Sequence, residues 1–159
     1  MKSLPAVTDR NEGDALVIRT DYSDEQAWQV VTAALTQPWT VGGESESGVH
    51  LVDDPTWAET SVDEVLAVVS TDEYLSVVFL ADRMTMQADH HALLAVTTVT
   101  REDLDDDEEY EAMIEFGREF RTAPVGVQEI HANLEIANMD FEEFAAVAQN
   151  DPEGVYRSS

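Results

Sequence analysis

Three short apolar runs, DALVIRT, VHLVDD and LSVVFLAD, constrain the fold of this chain more than any other feature. Each reads as a strand, each ends at or just before an aspartate, and the first two lead into stretches of helical period. A strand followed by a helix and another strand favours parallel pairing, because parallel neighbours need a crossover between them. In the first unit, SDEQAWQVVTAALTQP, Ser23 reads as the N-cap and Gln26 as its capping-box partner. Ala27, Trp28, Val31, Ala34 and Leu35 share one face, and Pro38 marks the stop. SVDEVLAVVS repeats the pattern with Ser61 and Glu64. LSVVFLAD, residues 75–82, is almost unbroken in its apolar character, as expected of a central strand buried on both faces.

Beyond residue 90 the pattern changes. ALLAVTTV and a run near 116–123 read as two strands with no long helix between them, hence an antiparallel hairpin. Its connection, EDLDDDEEYE, reads as a solvated acidic loop near residues 101–112. A short helix is expected from about Gly126. A final helix has Asp140 as N-cap, Glu143 as its partner, and Phe141, Phe144, Ala145 and Ala148 on one face. The expectation is an α/β fold of mixed α+β character. It has about five strands, the first three parallel through β-α units, then the hairpin and C-terminal helices. Residues 14–159 form one domain after a flexible segment, 1–13. Hydrophobic residues make up 43% of the chain, enough to separate it from a disordered acidic polymer.

Charge bounds the partners. Thirty-four Asp and Glu stand against eight Lys and Arg, a net of −26, which repels nucleic acid and anionic membrane and attracts basic surfaces. The stretch 102–119 alone holds ten acids and one arginine. With no cysteine, thiolate catalysis and sulfur-ligated metal are excluded. No secretory signal or apolar run of membrane-spanning length is seen, so a cytoplasmic protein is expected. Lys2 is the single lysine, and this depletion beside so many acids resembles proteins of high-GC or salt-adapted organisms.

Four segments, VIRTDYSDEQAW, VDDPTW, VFLADR and IANMDFEEFAAV, together resemble a family of small acidic actinobacterial proteins that carries a domain-of-unknown-function label. The resemblance spans nearly the whole chain. It implies a single-domain cytoplasmic protein and brings no activity, cofactor or site residue with it. The EDLDDDEEYEAMIE stretch departs from the shorter hairpin of that family.

Two candidate sites follow from the acids. Asp21, Asp53 and Asp82 close the three apolar runs, and in a parallel sheet those ends share the edge where ligands bind. Clustered there, they are the residues that could hold Mg²⁺ for phosphoryl chemistry. The competing explanation is that Asp is favoured at such turns for its own sake. The second candidate is the acidic run Asp103, Asp105, Asp106, Asp107, Glu108, Glu109 and Glu111, with Glu115 and Glu119 beside it, as a docking surface for a basic protein partner. Asp103, Asp105 and Asp107 match the first EF-hand ligand positions, but Glu108 stands where the glycine belongs and Ile114 where the bidentate glutamate belongs.

The remaining signals are weaker. His90 and His91 would point apart in an extended chain. His131 lies four residues before Glu135 without a zinc motif, and reads as a surface or satisfied histidine. Trp28 reads as core, while Trp39 and Trp57 are candidates for a pocket or interface. Gly42 and Gly43 lack the rest of a phosphate loop, and no nucleophile elbow or dinucleotide motif occurs. No cofactor beyond that Mg²⁺ is called for. The reading is a noncatalytic binding module for a basic protein, in the manner of an immunity protein, inhibitor or nucleic-acid mimic. A divalent-metal enzyme and a salt-adapted protein are the alternatives.

Overall fold

The computed structural model describes residues 15–35, 40–41, 44–45, 49–69, 77–88, 90–99, 104, 106–115, 117–135 and 140–157. The first apolar run forms β1 (Ala15–Arg19), and α1 (Glu25–Leu35) follows. A two-residue pair, β2 (Thr40–Val41) and β3 (Glu44–Ser45), precedes β4 (Val49–Val52), a 3-10 turn (Pro55–Trp57) and α2 (Val62–Val69). Then come β5 (Val77–Ala81), α3 (Arg83–Gln87), β6 (Leu93–Thr97), α4 (Asp107–Met113) and β7 (Glu119–Thr122). A second 3-10 turn (Pro124–Gly126) leads into α5 (Val127–Glu135), α6 (Phe141–Asn150) and β8 (Val155–Tyr156).

The main sheet has six strands in the order β4-β1-β5-β6-β7-β8. β4 and β5 both pair with β1 in parallel, as the β-α units require. β6 runs antiparallel to β5 and to β7, which is the expected hairpin. The mixed α/β class is therefore as expected, with one strand more than the sequence suggested. β8 is only two residues long and pairs in parallel with the end of β7. So short a strand carries no periodicity. It is held by tertiary contact, with the Tyr156 ring edge-on to Phe144 at 5.2 Å and its hydroxyl donating to Glu129 at 2.6 Å.

Side chains alternate across the sheet and build two cores. Ala15, Val17, Val77, Phe79, Leu93 and Ala95 face α1, α5 and α6, which contribute Trp28, Val31, Leu35, Ile130, Phe141 and Phe144. Leu16, Ile18, Val78, Leu80, Leu94 and Val96 face the other way, onto Val65 and Val69 of α2 and onto Trp57. Trp57 is wholly buried there, so it is a core residue. Trp39 lies outside the described residues, as do Gly42, Gly43 and residues 1–13. Each fully buried aliphatic or aromatic side chain contributes about 1.5–3 kcal/mol, so the double-sided core is the main source of stability. Among the described residues no helix is long and apolar enough to cross a membrane.

Two local expectations need correction. The N-cap of α1 is Asp24, not Ser23: Asp24 Oδ1 accepts from the Ala27 N–H at 3.0 Å, while the Ser23 hydroxyl donates to Asp21. Both residues cap well, and Asp21 decides between them by engaging Ser23 first. The acidic run is not all loop. From Asp107 it is helical, with Asp106 as N-cap accepting from the Glu108 N–H at 2.9 Å. Asp107, Glu108 and Glu109 occupy its first turn, where the helix dipole favours negative charge, and Tyr110 buries the helix against the domain. Asp103 and Asp105 lie outside the described residues. The caps of α2 and α6 are as expected. Ser61 Oγ accepts from the Glu64 N–H at 3.2 Å and the Ser61 N–H donates to Glu64 at 3.1 Å, while the Asp140 N–H donates to Glu143 at 2.7 Å.

Candidate functional site

β1, β4, β5 and β7 end on one edge of the sheet, and two arginines occupy it. Arg19 is the last residue of β1. Alternation turns it toward α1, where its side chain is only 2% exposed. Its guanidinium donates to Asp53 Oδ1 at 3.3 Å, to Glu25 Oε2 at 3.0 Å and to the Asp21 carbonyl at 3.0 Å. It also lies over the rings of Tyr22 at 4.1 Å and Trp28 at 5.0 Å. The other Asp53 oxygen accepts from the Trp28 indole N–H at 3.1 Å. Burial first, and then the charge of Asp53, push the Tyr22 phenol well above its ordinary pKa.

On the other face of the same edge, Arg121 of β7 reaches across β6 to Asp82. It makes a two-pronged pair at 2.8 and 2.8 Å and donates also to the Ala92 carbonyl at 3.3 Å. Asp82 caps α3 as well, accepting from the Thr85 N–H at 3.2 Å. Burial raises the pKa of Asp82, but Arg121 and Thr85 together outweigh it and hold the carboxyl below the usual range.

The three strand-end aspartates therefore do different work. Asp21 binds Ser23, Asp53 binds Arg19 and Trp28, and Asp82 binds Arg121 on the opposite face. Among the described residues no group of three His, Asp or Glu is placed to hold a metal ion. His90 and His91 turn to different partners: His90 Nδ1 accepts from the Ala92 N–H at 3.0 Å, and His91 Nδ1 meets the Thr85 carbonyl at 2.9 Å. His131 is buried in α5 and not on the surface.

A second feature lies at the opposite edge of the sheet. There β6 ends, α5 finishes and α6 begins, and α4 lies across the gap. They enclose a cavity of about 450 Å³. Val99, Leu104, Met113, Leu134 and Phe141 give it an apolar floor, and Glu109, Asp140 and Glu142 stand at its margin. The Thr97 hydroxyl, which also lines the cavity, donates to the Met113 sulfur at 3.8 Å. Partial burial, and then the charges of Asp140, Glu143 and Glu115, raise the pKa of Glu142. Among the described residues neither Glu109 nor Glu142 is in an ion pair.

Sequence reading placed Glu109 in the docking surface but missed the floor, whose residues come from four separate elements. It also missed Arg19 and Arg121. An arginine closing the apolar run ALVIR in so acidic a chain is the available signal for Arg19, whereas Arg121, within EFRT, has no comparable local signal. Asp107, Glu108 and Glu111 lie on α4 and Asp106 is its N-cap, all of them exposed. The family model described as "Domain of unknown function (DUF6924)" matches residues 14–159. No curated protein matches the chain.

Proposed function

Since the chain belongs to the DUF6924 family, whose description names no activity, we propose a function from geometry and charge: a noncatalytic module that binds a basic protein partner at the α4–α6 end. One observation carries this reading, the apolar cavity bordered by Glu109, Asp140 and Glu142 next to the acidic face of α4. Its volume falls within the range of about 300–1,000 Å³ usual for ligand sites. An apolar floor under unbalanced carboxylates suits a surface that is cationic and partly apolar. Complementary charge would speed such an encounter and make it salt-dependent. The two arginines point the same way, because they occupy the edge where parallel sheets usually take ligands.

The test is fluorescence anisotropy with a labelled twelve-residue peptide rich in Arg and Leu, at low and moderate salt. Binding is expected to weaken about tenfold or more with salt. It should weaken again in Glu109→Gln/Glu142→Gln but not in the charge-matched Glu59→Gln/Asp63→Asn at the far edge. Equal losses in the two double variants would mean that the protein is only a generic polyanion.

A further inference from the structure

Resting on that reading, we propose that the cavity receives one arginine side chain of the partner, with its aliphatic stem on the floor and its guanidinium at the carboxylate margin. A wholly acidic depression would suit a hydrated metal ion or a lysine ammonium, and a wholly apolar one would suit a leucine or phenylalanine. Here five apolar side chains and three carboxylates line one cavity. The occupant should therefore carry a long apolar stem and a charged head, as arginine and lysine both do.

Three observations favour arginine. Of the margin carboxylates, Asp140 belongs to the α6 cap, while Glu109 and Glu142 come from different helices. A planar, forked cation can address two carboxylates at once, which a compact ammonium does less well. The site is partly enclosed, and a guanidinium is more weakly hydrated than an ammonium, so it loses less on entering. The fold already solves this problem twice in its own interior: Arg19 and Arg121 are held by carboxylates on α-helical and strand-end elements, Arg19 with ring faces against it as well. A cation in the cavity would also relieve the mutual repulsion of Glu142, Asp140, Glu143 and Glu115.

The experiment is a ¹⁵N NMR titration of the full chain with three capped tripeptides, Leu-X-Leu, where X is arginine, lysine or citrulline. The arginine peptide should shift the amides of Leu104, Met113, Leu134 and Phe141. The lysine peptide should bind several-fold more weakly, and citrulline, which keeps the shape without the charge, should produce no shift there. Glu109→Gln and Glu142→Gln should each weaken the arginine peptide by about tenfold, the worth of one charge-assisted hydrogen bond. Ala112→Phe, on the exposed side of α4 and lining the cavity, should abolish tripeptide binding while leaving the fold intact by amide dispersion.

Equal binding of lysine and arginine peptides, or tripeptide binding undisturbed in Ala112→Phe, overturns the arginine proposal. If the arginine and lysine tripeptides bind alike while Glu109→Gln/Glu142→Gln still weakens the salt-dependent binding of the long basic peptide, the module reading stands without it. If neutralising Glu109 and Glu142 affects neither peptide, both fall.

Discussion

The pair Arg19 and Asp53 is unequal in burial, and that inequality fixes the outcome of removing either member. Arg19 is 2% exposed and the Asp53 side chain 46%. Asp53→Ala leaves a buried guanidinium with Glu25 and the Asp21 carbonyl as its remaining hydrogen-bond acceptors, and strips the Trp28 indole N–H of its acceptor. Breaking a buried pair in this way costs about 3–5 kcal/mol, and the retained Glu25 brings the expectation to about 3 kcal/mol. Arg19→Met leaves a carboxylate that can turn to water and fills the slot between Tyr22 and Trp28 with an unbranched stem. Its cost is the two ring contacts at about 0.5 kcal/mol each plus a charged hydrogen bond at about 1.5 kcal/mol, about 2.5 kcal/mol in all. In the double variant no buried charge is left over but the Trp28 indole still lacks its acceptor, so its cost should exceed that of Arg19→Met by about 1 kcal/mol, a coupling of about 2 kcal/mol. Urea unfolding followed by tryptophan fluorescence and by far-ultraviolet circular dichroism measures all three. Simple additivity, or a larger loss for Arg19→Met than for Asp53→Ala, would refute the reasoning.

Other perturbations test the same physics elsewhere. Asp82→Asn should lower stability by about 2 kcal/mol at pH 7 by leaving Arg121 without its charged partner. Because the folded pKa of Asp82 is depressed, its contribution is present above about pH 4 and lost as pH falls through the folded value, so the gap between variant and parent should close on acidification. Glu142 has the opposite sign: its raised pKa means the ionised form costs stability at neutral pH and the cost lifts as pH falls. Glu142→Gln should therefore stabilise by about 0.2–0.5 kcal/mol at pH 7 in urea unfolding, with the gain gone below about pH 4. Gly126→Ala would place a methyl 2.6 Å from Thr122 Oγ1 and 3.1 Å from the Tyr156 ring. A loss of about 1–3 kcal/mol in melting or urea experiments is expected, with β8 loosened first by hydrogen exchange.

The elements that were legible in the sequence are those whose signals are local. The parallel units followed from apolar runs joined by helical stretches, and the caps of α2 and α6 from spacing within four residues. β8 was not legible, because two residues have no period and its place depends on Phe144 and Glu129. The helical part of the acidic run is hidden in the sequence because dense charge argues against packing. In α4 the acids sit in the first turn, where the helix dipole welcomes them, and one tyrosine supplies the anchor. The cavity was out of reach for a different reason: Val99, Met113, Leu134 and Phe141 meet only through the topology.

Arg19 and Arg121 give the parallel edge of this sheet a further meaning. In most folds of this kind that edge is vacant until a ligand arrives, and its fields are tuned to a visitor. Here the chain supplies permanent tenants from its own scarce cations, two of the eight in the sequence. The edge has become a keystone: its carboxylates are satisfied from within and locked to the strands they follow. A sheet edge tied in this way holds its shape with no guest to complete it, and the two scarce cations spent there are structural ones.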